Sequence, residues 1–317
     1  MLENKVLTGY PSIDKPWSKY YSDEALNCAL PKCTIYEYLW RQSQNHMDET
    51  ALIYYGRKIK YRELFQNIET VTNAFIAMGV KPGDYVTICS VNFPEVVYAF
   101  YALNRIGAIS NMVDPRTNTD RIGQYMTAAE SRIVLTLDRA LPRFLKLSDQ
   151  GLIDNIVVLS PVDSLTLPLK IGYRLKNKQS VEMNQYCQSW KSFIKAGNDN
   201  IHTDFPYKKD YPVTVVYTGG TTGIPKGAVL SNDSLNALTV EYSTNGMDYS
   251  RGQKFLNIMP PFIAYGVSCG LNMPLCIGLT NILIPQFDPD KFGDLLTKYR
   301  PEHFIGVPTH FEKLRKR

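Results

Sequence analysis

The chain has 317 residues, 44% hydrophobic and 21% charged, with 20 Gly and a net charge of +5. Those proportions belong to an ordinary folded protein and exclude collagen, coiled coil and long disorder. At about 150 residues per domain the length alone suggests two domains.

The densest basic run, Lys313 to Arg317, lacks interleaved aromatics, so it reads as a solvated end and not a nucleic-acid or membrane patch. The six cysteines form no CxxC pair, and several lie in apolar segments. They read as buried free thiols of a reducing compartment, and the four histidines have no metal spacing. MLENKVLTGYPSIDKPWSKYY has no apolar signal-peptide core, so the expectation is a cytoplasmic protein. Phe255 to Phe287 carries no charge, but prolines, asparagines and glycines interrupt it. It reads as strand, loop, buried helix and strand, not as a transmembrane span.

In chain order, an irregular lead-in runs to about Pro31. Thr34-Ile35-Tyr36-Glu37 has the pattern of a capping box and opens a helix to about Asn45. Ala51–Tyr55 and Lys58–Lys60 flank Gly56-Arg57 as a hairpin. Leu64, Phe65, Ile68, Val71 and Phe75 give Tyr61–Met78 helical spacing, with Gly79 as its stop. Then strands and helices alternate. Strands are expected at Tyr85–Ser90, Ala108–Val113, Arg132–Leu137 and Asn155–Leu159. Helices are expected at Phe93–Ile106, capped by Asn92 and ended by Gly107, and at Asp120–Ala129. Such alternation predicts an α/β fold with parallel strands joined by right-handed crossovers. Pro161–Asp210 is weakly patterned and expected to be partly loop. Further strands are expected at Val213–Tyr217, Ala228–Leu230, Phe255–Met259, Asn281–Ile284 and His303–Val307, with helices after Ser231 and over Pro289–Tyr299.

The chemistry concentrates in Tyr217-Thr218-Gly219-Gly220-Thr221-Thr222-Gly223-Ile224-Pro225-Lys226-Gly227. Glycines let successive backbone N–H groups turn inward, threonine hydroxyls add donors, and Lys226 adds a point charge. Together they suit a polyphosphate. The stretch is not a Walker A loop, because Pro225 precedes the lysine and Gly227 follows it.

TGGTTGIPKGAV closely resembles the phosphate-binding signature of the adenylate-forming superfamily, which includes acyl-CoA ligases, peptide-synthetase adenylation domains and luciferase. Four other stretches look similar to that family's later or earlier motifs. They are YRELFQNIETVTNAFIAMGVKPGD, YAFYALNRIGAISNMVDP, Met259 to Gly266, and Phe287 to Pro308 with its GVPT ending. The resemblance covers about residues 34 to 317, in order.

The resemblance implies an N-terminal domain of two mostly parallel β-sheets, with helices packed between and outside them. It divides the chain into a second-sheet subdomain, residues 1–65 plus 235–317, and a first-sheet subdomain, residues 66–234, ending in the phosphate loop 217–227. It implies an AMP-forming acid–thiol ligase: a carboxylate attacks the α-phosphate of ATP, releasing pyrophosphate, and a thiol such as coenzyme A then displaces AMP. Thr218, Gly219, Gly220, Thr221, Thr222, Gly223 and Lys226 would hold the β- and γ-phosphates. Phe262, Ile263, Ala264, Tyr265 and Gly266 would line the acid pocket, with Ile263 where the family often has histidine. ATP, Mg2+ and coenzyme A are the implied cofactors, and a fatty or other organic acid is the implied substrate. The family's aromatic-Gly-x-Thr-Glu and Thr-Gly-Asp motifs, its hinge and its small C-terminal domain are not found in the 317 residues. Asp248-Tyr249 and Glu302-His303 read as ordinary structure. The expectation is therefore a second sheet cut short, a chain inactive alone, and a homodimer covering the open edge or reduced stability. A non-catalytic ATP/acyl-binding remnant and a carrier-loading adenylation fragment stay open as alternatives.

Overall fold

The computed structural model describes residues 7–176, 183–197, 202–218 and 226–315. Within them lie twelve strands in two sheets. The strands, in chain order, are β1 (Thr50–Tyr54), β2 (Arg57–Lys60), β3 (Tyr85–Cys89), β4 (Ile109–Met112), β5 (Ile133–Leu137) and β6 (Asn155–Leu159). They continue with β7 (Cys187–Ser189), β8 (Pro212–Thr218), β9 (Lys226–Ser231), β10 (Lys254–Asn257), β11 (Thr280–Leu283) and β12 (His303–Phe304).

One sheet has the order β7-β6-β5-β3-β4-β8-β9, the other β12-β10-β11-β1-β2. All neighbours are parallel except the antiparallel pairs β8/β9 and β1/β2, each at a sheet edge. This is the expected α/β architecture of two mostly parallel sheets. Its central strands are covered on both faces: every residue of β4 and of β11 is buried, Ser110, Asn111, Thr280 and Asn281 included.

The covering between the sheets is helical. All 13 residues of helix Pro94–Ile106 are buried, so it is apolar nearly all round. One continuous core runs from Leu52 and Leu283 of the five-stranded sheet through Val97, Phe100 and Leu103 of this helix to Val86, Ile88 and Leu135 of the seven-stranded sheet. Helix Tyr61–Ala77 packs on the same core through Leu64, Ile68, Val71 and Phe75, the residues its spacing marked. Gly107 ends the buried helix in the left-handed region at φ 82°, and a Cβ there would lie 2.5 Å from the Phe205 ring. Both facts favour glycine.

Several local expectations shift. The β1/β2 turn is Tyr55-Gly56, at φ 47° and 86°, and not Gly56-Arg57; two successive positive φ values suit a tight hairpin. Thr34 does cap its helix, accepting the Glu37 N–H at 3.1 Å, but the Glu37 carboxylate turns to Arg41. The reciprocal capping box lies instead at Ser231 and Ser234. Asn92 is not the cap of Pro94–Ile106; Phe93 precedes that helix without a side-chain bond. The weakly patterned stretch from 161 to 210 contains helices Leu167–Lys176 and Trp190–Ala196 and the edge strand β7. Phe255–Phe287 is strand, loop, buried helix and strand as expected, the helix beginning with wide π turns over Gly266–Asn272. No helix among the described residues is long and apolar enough to cross a membrane. All six cysteines are free, four of them buried.

Candidate active site

In an open parallel sheet, ligands sit beyond the carboxyl ends of the strands, where successive connections leave in opposite directions. Both sheets have such a point. In the seven-stranded sheet β3 lies between β4 and β5; in the five-stranded sheet β10 lies between β11 and β12. The two points face one cavity of about 920 Å³. Val91 and Asn92 follow β3, and Asp114 to Asn118 follow β4. From the other sheet, Ile258 to Pro260 follow β10, Ile284 to Phe287 follow β11, and Val307 follows β12.

Asn92 joins the two sheets here. Its buried Nδ2 donates to the Met259 carbonyl at 2.9 Å and the Ile284 carbonyl at 3.4 Å. Across the cavity, Tyr217 at the end of β8 stacks on Tyr125 with centroids 3.6 Å apart. The Tyr217 hydroxyl donates to Asn111 Oδ1 at 2.7 Å, and burial pushes its pKa up to about 12. Tyr217 is therefore a neutral, fixed wall of the cavity. The next residue, Thr218, pairs in register with Lys226 across the β8/β9 hairpin.

Two of the loop's seven expected residues, Thr218 and Lys226, are described. Thr218 and Lys226 form the base of the hairpin, whose connection is 219–225. Gly219, Gly220, Thr221, Thr222 and Gly223 lie outside the described residues. Lys226 is exposed.

The acid-pocket group also divides. Phe262 and Ile263 line the cavity. Ala264, Tyr265 and Gly266 are not among its described lining residues. Tyr265 packs beside the core of the five-stranded sheet. Gly266 has a structural reason instead: a Cβ there would fall 1.7 Å from the Pro260 carbonyl oxygen. It lets the Pro260–Gly266 turn close and so aims Phe262 and Ile263 at the cavity.

Charge at this site comes from residues the motif reading passed over. Arg116, Arg121, Asp114 and His310 all line the cavity. Asp114 accepts from Arg116 Nε at 3.0 Å and Nη2 at 2.6 Å, which raises the arginine pKa. The Arg116 guanidinium lies 5.8 Å from the Phe262 ring centre. His310 accepts the Val307 N–H at Nδ1, 3.2 Å away, and burial lowers its pKa, so it is neutral at pH 7. Two arginines against one aspartate leave a cationic rim, suited to an anion. The signal was positional: Arg116 and Arg121 follow the strand whose sequence ends at Asp114-Pro115. Among the described residues no group of three or more His, Cys, Asp or Glu is placed to hold a metal ion.

An apolar wall at Phe262 and Ile263, a cationic rim and Tyr217 of β8 thus meet at one cavity. The family model described as AMP-binding enzyme matches residues 39–317. A long-chain-fatty-acid–CoA ligase of Bacillus subtilis is 28% identical over 302 residues, covering 93% of this chain and 54% of the relative. An acetyl-coenzyme A synthetase of Novosphingobium aromaticivorans is 26% identical over 308 residues, covering 93% and 46%. The chain thus spans about half the length of the curated relatives it matches. Among solved structures, the N-terminal domain of FACL13 from Mycobacterium tuberculosis superposes with a TM-score of 0.74 at 18% identity, over 90% of this chain and 65% of that one. The anthranilate CoA ligase AuaEII gives 0.76 at 18% identity, over 90% and 52%.

Proposed function

This chain belongs to the AMP-binding enzyme family, and we propose that its cavity is the site where a carboxylic acid is activated by ATP for transfer to coenzyme A. The observation that carries this reading is the meeting of the two sheets' carboxyl ends at one cavity, with Phe262 and Ile263 on one wall and Tyr217, next to Thr218, on another. The reaction needs those parts. The acid's apolar body requires a dry wall, and its carboxylate must sit against the α-phosphate. There the carboxylate oxygen bonds to phosphorus and pyrophosphate leaves. Thr218, Lys226 and the loop 219–225 hold the polyphosphate tail, and the Arg116–Arg121 rim favours the anionic substrates. Coenzyme A is the thiol that then takes the acyl group, releasing AMP. A fatty or other organic acid is the proposed substrate class, in keeping with the names of the relatives.

The residues that the family places on adenine, ribose and magnesium are not found in the sequence. We therefore expect this chain to bind nucleotide without completing adenylation. The test is titration of the 317-residue chain with a non-hydrolysable long-chain acyl-adenylate analogue, followed by melting temperature and calorimetry. The analogue should raise the melting temperature. Lys226→Ala should weaken ATP binding roughly tenfold or more, the size of a lost charge-assisted contact. No stabilisation by analogues of any chain length would overturn the site. Robust pyrophosphate exchange by this chain would instead overturn its inactivity alone.

A further inference from the structure

His310 reaches the large cavity from the first turn of helix Pro308–Arg315, just past the Phe287–Pro308 stretch. Its ring is held on three sides. Nδ1 accepts the Val307 N–H at 3.2 Å, which folds the side chain back on its own turn. The Phe287 ring stands edge-on with centroids 4.9 Å apart, and the Phe292 ring lies 6.5 Å away. Gly306 makes room for this fold, because a Cβ there would fall 2.9 Å from Nδ1.

A neutral imidazole whose Nδ1 accepts a hydrogen bond carries its hydrogen on Nε2. Burial keeps His310 neutral, and no charged neighbour opposes it. The Nε2–H is thus a neutral donor at the cavity wall, and no described residue takes it. Other side-chain donors of the cavity are committed within the protein: Arg116 to Asp114, Tyr217 to Asn111, and Asn92 to the Met259 and Ile284 carbonyls. Phe262, Ile263 and Phe287 of the same cavity offer apolar surface and no side-chain donor.

We propose that the His310 Nε2–H holds one carboxylate oxygen of the acid substrate, and holds the same oxygen as the acyl carbonyl once the adenylate has formed. This role rests on the function proposed above and adds a residue to it. In that step the other carboxylate oxygen bonds to the α-phosphorus, and the bond from phosphorus to the pyrophosphate oxygen breaks with its electron pair. His310 keeps its proton throughout. A neutral donor suits the task, because it orients the carboxylate beside an apolar wall. A paired cation would hold the acid more tightly and draw electron density from the attacking oxygen.

The experiment is calorimetric titration of the full chain and two variants. The probes are the non-hydrolysable long-chain acyl-adenylate analogue, its alkyl counterpart with a methylene in place of the carbonyl, and ATP. His310→Ala should weaken binding of the acyl analogue roughly fivefold, the size of one neutral hydrogen bond, and leave the alkyl analogue and ATP unchanged. His310→Gln, whose amide places a donor near the Nε2 position, should restore most of the loss. With isotope-labelled histidine, the acyl analogue should shift the His310 Nε2 resonance of the wild type and the alkyl analogue should not. The alkyl analogue also controls for folding, since a distorted cavity would weaken both. Equal loss for the two analogues, or loss for neither, would overturn the role of His310 and leave the site standing. A wild type that binds no acyl analogue would overturn the proposed function, and this role with it.

Discussion

Gly266 and Glu95 show how single residues carry the site and the stability of its frame. With the Pro260 carbonyl 1.7 Å from where a Cβ would stand, Gly266→Ala must push the Pro260–Gly266 turn apart. We expect a loss of roughly 1–3 kcal/mol, as for overpacking, together with weaker acyl-adenylate binding, measured by urea unfolding and calorimetry. Glu95 is fully buried in the first turn of Pro94–Ile106, where it accepts from Ser164 Oγ. Burial, aided by the nearby Asp163 and opposed by Ser164 and Arg57, raises its pKa to about 7. Its folded pKa lies above the unfolded one, so its stabilising contribution is full at acid pH below the ordinary carboxyl range. That contribution is lost as pH rises through about 7. Wild-type stability should therefore fall between pH 5 and 8 by an amount on the order of 3 kcal/mol, and Glu95→Gln should flatten that slope. Equal slopes in wild type and variant would show that the carboxyl is ionised throughout.

Among the elements, two helix starts and one helix end meet at one asparagine pair. Asn232 Oδ1 accepts from the Ile35 N–H at 2.9 Å and from Asn104 Nδ2 at 3.0 Å, and Asn104 Oδ1 accepts from the Tyr36 N–H at 3.1 Å. Helix N-termini leave N–H groups without intrahelical partners, and here side chains of two other helices supply them. Asn232→Ala strands a buried N–H and an amide, so it should cost roughly 1–3 kcal/mol by chemical denaturation, whereas a surface change such as Ser243→Ala costs little. The elements themselves were largely legible. Tyr61–Ala77 was marked by Leu64, Phe65, Ile68, Val71 and Phe75, and the parallel strands by short apolar runs. Helix Leu167–Lys176 was not legible, because its leucines face out and Gly172 weakens its helical signal. Asn92 was misread for a different reason. An asparagine before Phe93-Pro94 looks like a cap, and nothing local reveals two carbonyls 167 and 192 residues further on.

For the whole molecule, the cavity exists because two sheets are held with their carboxyl ends converging. The buried helix Pro94–Ile106 fills the space between them, and Asn92 pins the ends together. Asn92→Ala should loosen that convergence. We expect a stability loss of roughly 1–3 kcal/mol and a fall in acyl-adenylate affinity larger than the same destabilisation causes when placed at Asn232. Comparing the two variants by unfolding and titration separates a cavity effect from general softening. Equal affinities in both would remove the cavity role from Asn92.

By itself the sequence determined the fold class, because alternating apolar runs and helical spacings leave a covered, mostly parallel sheet as the outcome. It also carried the proposal that Thr218 to Lys226 hold a polyphosphate, from residue type and order alone. Only the tertiary structure decided which residues share the cavity. Phe262 and Ile263 enter it while Tyr265 packs away, and Arg116, Arg121, Tyr217 and His310 join from three separate segments. The physical reason is that strand ends carry no local mark of what they face. Their neighbours are set by sheet order and by the helix packed between the sheets, which bring together residues as far apart as Val91 and His310.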